Sequence, residues 1–179
     1  GSVERSAGYL GPIFPRSSNK LMQATAMVEC GFDGPSEYLA LAAASHDGEP
    51  LHVATVREIL GGAGLDESYL QTPPDWPYNE VAKIDVVRAG GVPEPITMNC
   101  SGKHAGMLAT CVVRGWCTDN YRDVDHPLQQ AIASTIERRS PGRIGIAPIN
   151  SPNGRSQRFS KKSAYTSMRI GRELTSNSN

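Results

Sequence analysis

At 179 residues and 39% hydrophobic content the chain is long enough to bury a substantial core as one domain, and its apolar runs stop well short of the roughly 20 residues of a membrane helix. Formal net charge is zero but unevenly divided: from Arg138 onward nine Arg or Lys face the single acid Glu173, leaving that segment near +8 and the remainder near −8. Cys30, Cys100, Cys111 and Cys117 are too few and too irregularly spaced for a disulfide scaffold, and no basic-apolar leader opens the chain, so reduced thiols and a cytoplasmic setting are expected.

Gly1-Ser2, without a Met, read as a processed or internal start and stand outside the fold reading. Ile13-Phe14-Pro15-Arg16 is an extended entry that delivers Ser17 and Ser18, either of which can cap a helix over about 19–30 with Leu21, Ala24 and Val28 on one face, ended by Gly31. Ser36 can cap a second helix that stops by Asp47-Gly48-Glu49-Pro50, and a third, over about 51–60, breaks at Gly61-Gly62. Thr72-Pro73-Pro74-Asp75-Trp76-Pro77 is a loop, because its prolines remove backbone donors. A helix over about 79–89 leads through Gly90-Gly91-Val92-Pro93 to a short extended piece at Ile96–Met98. Ser101 precedes a fifth helix, about 103–113, with Ala105, Leu108 and Val112 at core spacing, and Asp125 with Pro127 starts a sixth that ends near Arg139. The elements read as mainly helical, and nothing local decides whether they pack on a sheet or on one another.

Three strings carry chemistry. In Ser17-Ser18-Asn19-Lys20 a serine at a helix start and a lysine three positions on rise on the same face, so the amine can serve the hydroxyl as a base. Taken alone the motif is weak, because a capping serine with a solvated lysine explains it fully. Ala44-Ser45-His46-Asp47-Gly48-Glu49-Pro50 places Ser45 and His46 at a helix end, where they can face a cleft or simply form a polar C-terminal turn. Asn99-Cys100-Ser101-Gly102-Lys103-His104 contains a Gly-Lys pair, but Thr97 and His104 stand where a phosphate loop needs Gly and Ser or Thr, which rejects a nucleotide site. Cys100, Lys103 and His104 could instead present donors to a metal.

Taken together, Phe14-Pro15-Arg16-Ser17-Ser18-x-Lys20-x-x-Gln23-Ala24, Ala44-Ser45-His46-x-Gly48-Glu49-Pro50-x-His52 and Asn99-Cys100-Ser101-Gly102-Lys103-His104-Ala105-Gly106-Met107-Leu108 resemble, in order and spacing, the signatures of the type II L-asparaginase family of rhizobial type. Gly115-Trp116, Tyr121 and Asp125-His126-Pro127-Leu128-Gln129 continue the likeness, which covers about 125 residues. The resemblance implies an α/β (α+β) fold like that of serine β-lactamases and penicillin-binding proteins, and hydrolysis of L-asparagine to L-aspartate and ammonia. It further implies Ser17 as nucleophile, Lys20 as its base, Ser45 in the proton network, and Asn99, His104 and His46 lining or supporting the substrate site. Cys100 and Lys103 match family zinc ligands, and a homodimer is compatible with the family.

The likeness fails at two places. Ile149, within Gly145-Ile146-Ala147-Pro148-Ile149, stands where the family has another zinc-ligating cysteine, so zinc affinity is expected to be poor or lost. The family's later second catalytic lysine has no counterpart, so residues 3–153 read as a partial asparaginase-like domain and 154–179 as a basic, Ser-rich, disordered tail. An inactive fragment and a related acyl-serine hydrolase acting on glutamine or a β-lactam are the alternatives. Nucleic-acid binding by the tail ranks last, and no membrane partner is expected.

Overall fold

The computed structural model describes residues 16–139, 144–146 and 168–170, with side chains from Ser17 to Arg139. Among them six α-helices succeed one another: α1 (Lys20–Glu29), α2 (Ser36–Ala43), α3 (Pro50–Gly62), α4 (Glu80–Arg88), α5 (Ser101–Arg114) and α6 (Pro127–Arg139). A 3-10 turn, Arg16–Asn19, runs straight into α1.

The helix ends follow local chemistry. Past α1, Gly31 takes φ +97°, and Phe32 N–H returns to Met27 O at 2.9 Å, closing the last turn. Asn79 caps α4 by accepting Ala82 N–H at 3.0 Å. Gly115, at φ +66°, ends α5 while Trp116 N–H reaches back to Cys111 O at 2.8 Å. Three expectations shift. Ser36 is the first helical residue rather than the cap, a place taken by Pro35. Helix α3 continues through Gly61-Gly62. At α6 the capping acceptor is His126 Nδ1, which receives Leu128 N–H at 3.1 Å, not Asp125. The piece expected to be extended at Ile96–Met98 is a turn, stitched by Ser101 Oγ donating to Ile96 O at 2.7 Å.

Helix α5 is the centre of the packing, lying against α3, α2 and α1, while α6 lies along α1. Met27, Ala42, Val56, Leu60, Ala105, Leu108, Leu128 and Ile132 form the buried core. The close approach of α5 depends on glycine: a Cβ on Gly102 would sit 2.5 Å from Leu41 Cγ and 3.0 Å from Leu41 O, and one on Gly106 would sit 3.1 Å from Ala42 Cβ. Helix α1 is turned differently from its apolar pattern. Leu21 and Val28 are 69% and 46% exposed, whereas Lys20, Gln23, Ala24 and Met27 face inward. The small Ala24 and the hydrogen-bonded Lys20 set that rotation, since Lys20 reaches the end of α2. Val112 likewise is on the exposed side of α5, unlike Ala105 and Leu108. Glu29 ties α1 to α6 through Arg138 at 2.7 Å and Arg139 at 2.6 Å, surface pairs that orient more than they stabilise.

The expected α/β, β-lactamase-like architecture is overturned: the described residues are helical, and their only strands are β1 (Ile144–Ile146) and β2 (Met168–Ile170), three residues each, paired antiparallel. Strands so short offer no sheet face for six helices, and the helices bury their apolar stripes on one another. Of the tail at 154–179 only β2 is described, so the expectations of disorder and of nucleic-acid binding there lie outside the described residues. No helix among the described residues is long and apolar enough to cross a membrane.

Replacing Gly102 with Ala is expected to lower unfolding free energy by about 1–3 kcal/mol through overpacking against Leu41. Gly61→Ala, where a Cβ meets nothing within 4 Å, should hold or raise stability by up to about 1 kcal/mol. Urea melts of the two variants check both signs.

Candidate functional site

The site begins where α2 stops. Ala44 adopts an extended conformation (φ −118°, ψ 178°), which leaves its carbonyl without a helical partner and releases Ser45 from the helix. Lys20, at the first position of α1 and 5% exposed, fills that gap. Its Nζ donates to Ala44 O at 2.9 Å and to Ser45 Oγ at 2.5 Å. A cation at a helix C-terminus also suits the negative end of the helix dipole. The structure therefore brings Lys20 and Ser45 together. Ser17 is exposed on the 3-10 turn just before Lys20, and among the described residues no hydrogen bond joins it to either partner.

The Ser45 segment is held against the start of α5. His46 N–H donates to Asn99 O at 3.0 Å, and its imidazole is buried with both nitrogens engaged. Gly48 N–H is a donor, so Nδ1, 3.2 Å away, is an acceptor. Nε2 then carries the proton and donates to Ser101 Oγ at 2.9 Å, which passes its own proton to Ile96 O. Burial chiefly, helped by His52 and Lys20 and opposed by Asp47, lowers the His46 pKa to about 4, in accord with a neutral ring. Gly48 permits this brace. It sits at φ +77°, and a Cβ there would stand 2.8 Å from Pro77 Cα. His46 is thus oriented inward, as a brace of the Ser45 loop.

Cys100 stands at the N-cap of α5, and the first turn of that helix holds Lys103 and His104. Cys100 Sγ donates to Asn99 Oδ1 at 3.2 Å, so Asn99 serves the thiol with its side chain and His46 with its backbone. Lys103, 8% exposed, has its pKa lowered mainly by burial, with Lys20 and Arg122 adding to the effect and Cys100 opposing it. The pKa of His104 lies well below the ordinary imidazole range, again through burial first and then the charges of Lys103, Arg122 and Lys20. The charges of Lys103, Arg122 and Lys20 thus all disfavour a protonated His104. His104 Nδ1 lies 2.8 Å from Tyr121 Oη.

For zinc, Cys100 and Lys103 supply one thiol and one amine, short of the four donors of a tetrahedral site. Ile149 lies outside the described residues, and among the described residues no three His, Cys, Asp or Glu side chains converge. Among the described residues the donor set therefore falls short of a tetrahedral zinc site.

Several participants were not assigned roles from the sequence. Ser101 looked like a helix start yet is the relay for His46; Tyr121 touches His104, and Arg122 holds the Gln71 carbonyl; Gln23, one turn beyond Lys20, has a buried Oε1 without a hydrogen-bond partner among the described residues. Gln23 stood in the string that resembles the family, but nothing there gave it a part. Two surface hollows, one against Trp116, Asp123 and His126 and one against Asp66, Gln71 and Asp119, do not include Ser17, Lys20 or Ser45.

Residues 1–143 match the family described as L-asparaginase II. The comparison with curated proteins returns no match.

The brace at His46 gives a signed pH dependence. Its folded pKa, about 4, lies below the ordinary unfolded value near 6.5, so between these limits the unfolded chain binds a proton that the folded chain refuses. Stability contributed by neutral His46 is complete above pH 6.5 and is lost as pH falls toward 4, with a slope of up to about 1.4 kcal/mol per pH unit. Urea melts at pH 7 and 4.5 should show a steeper loss for the wild type than for His46→Gln; equal slopes would refute the assignment.

Proposed function

The chain belongs to the L-asparaginase II family, and from that premise we propose that Ser17, Lys20 and Ser45 carry the hydrolysis of L-asparagine to L-aspartate and ammonia. Family membership makes it an asparaginase-type hydrolase. The observation that supports these particular residues is the Lys20 amine, buried between Ala44 O and Ser45 Oγ, one residue beyond the turn that carries Ser17–Asn19.

The proposed chemistry follows from what a lysine amine can do there. Without its third proton the amine has two N–H groups, which Ala44 O and Ser45 Oγ engage, and a lone pair left for the hydroxyl proton of Ser17. As Lys20 takes that proton, Ser17 Oγ bonds to the side-chain amide carbon and the carbonyl oxygen becomes an oxyanion. The electropositive setting made by Lys103 and Arg122 favours that charge. Collapse breaks the C–N bond, and the departing nitrogen takes the proton from Lys20 by way of the Ser45 hydroxyl. Water then adds to the aspartyl ester, giving its proton to the same pair, and Ser17 leaves with a proton restored. Asn99 and His104 border the substrate, and His46 keeps the Ser45 loop in place. No step is routed through zinc.

The direct Lys20–Ser45 contact favours one second reading, in which Ser45 is the attacking hydroxyl and Ser17 assists.

Ser17→Ala should reduce ammonia release from asparagine by about a thousandfold or more, as loss of a serine nucleophile does, and Ser45→Ala should reduce it less. The reverse ranking would transfer the nucleophile to Ser45. Retained activity in both variants would sink the serine mechanism, and release from glutamine or opening of a β-lactam in place of asparagine would redirect the substrate.

A further inference from the structure

Tyr121 is fully buried, yet its hydroxyl has partners that dictate where its single proton goes. Gln71 N–H points at Tyr121 Oη at 3.2 Å, and an amide N–H only donates, so the hydroxyl accepts there. The carbonyl of the same residue is held by Arg122 Nη1 at 2.5 Å, which fixes the Gln71 peptide from its other side. The Tyr121 backbone is anchored as well, because Gln129 Nε2 donates to Tyr121 O at 2.8 Å from the first turn of α6. With burial pushing its pKa up to about 12, Tyr121 keeps its proton at neutral pH. The acceptor within reach is His104 Nδ1 at 2.8 Å, with the rings edge to face at 76°. Were Nδ1 protonated and donating instead, the buried hydroxyl proton would be left without an acceptor among the described residues, at a cost of about 1–3 kcal/mol.

We infer that Tyr121 is a positioning residue: it donates to His104 Nδ1, holds the imidazole in its Nε2–H form, and so presents an N–H donor, rather than a lone pair, on the edge of the ring away from Tyr121. This neutral donor belongs to the first turn of α5, next in sequence to Lys103, and in the proposed reaction a substrate carboxylate or carbonyl oxygen would be its partner. Its kinetic consequence rests on the asparaginase reading above; the proton placement does not. The link also explains why a tyrosine, and not a phenylalanine of the same shape, occupies a fully buried position beside the first turn of α5.

The test is nitrogen-detected NMR of the imidazole side chains in the full chain at pH 7.5, with His104 identified by its loss in His104→Gln. In the wild type His104 should show a protonated Nε2 and an unprotonated Nδ1; a protonated Nδ1 overturns the inference without recourse to any variant. In Tyr121→Phe, which keeps the ring and removes only the hydroxyl, the two forms should mix. Ammonia release should fall about tenfold or more in kcat with KM within about twofold, as when an imidazole loses the partner that fixes its tautomer. A Tyr121→Phe enzyme with His104 still wholly in the Nε2–H form, or with unchanged kcat, overturns the role. A wild type that releases no ammonia from asparagine defeats the asparaginase reading separately, and the imidazole spectrum still decides the proton placement.

Discussion

The closeness of α5 to the end of α2 is the constraint from which the rest of the site follows. Gly102 and Gly106 offer no side chain toward α2, so Leu41 and Ala42 meet the α5 backbone directly. That contact sets Asn99, Cys100 and Ser101 beside Ser45 and His46, where backbone and imidazole hydrogen bonds can join them. Interiors packed at this density transmit displacement, because there is no empty space in which to absorb it. A shift of α5 by a fraction of an ångström would therefore move the Ser45 loop with it.

Within this frame, support and chemistry fall to different side chains. His46 spends both ring nitrogens on Gly48 and Ser101, and Ser101 spends its proton on Ile96. Lys20 is the group left facing a serine hydroxyl, buried enough to be held still and bonded to the Ala44 carbonyl at the end of α2. His104 and Tyr121 form a second polar pair, and the charge of Arg122 acts on both. Polar networks of this sort are worth most when every member is satisfied, and the His46 network has an acceptor for each proton it carries.

Helix positions were legible because capping and breaking are local. Gly31, Asn79, Pro127 and Gly115 act within one turn of themselves, and the helices they bound lie within a residue or two of the expected limits. The rotation of α1 was not, since Leu21 and Val28 promised an apolar face while a tertiary contact of Lys20 turned that face outward. Fold class failed for a related reason: amphipathic helices read alike whether they pack on a sheet or on each other, and only the glycine contacts of α5 separate the two. Of the site, Lys20, Ser45, Cys100 and Lys103 were visible as spaced polar residues. Ser101 and Tyr121 were not assigned parts, because the partners of Tyr121 lie 17 and 50 residues away and that of Ser101 lies 55 away.

The central claim of the proposed mechanism is that Ser17, served by Lys20, forms a covalent bond with the aspartyl group of the substrate. Rapid quenching in acid during turnover of L-asparagine, followed by peptide mass spectrometry, observes that bond directly. The account predicts one aspartyl group on the peptide containing Ser17, present only while substrate is being consumed. The same group on Ser45, or steady ammonia release with no aspartyl group on any peptide under conditions that preserve serine esters, would contradict it.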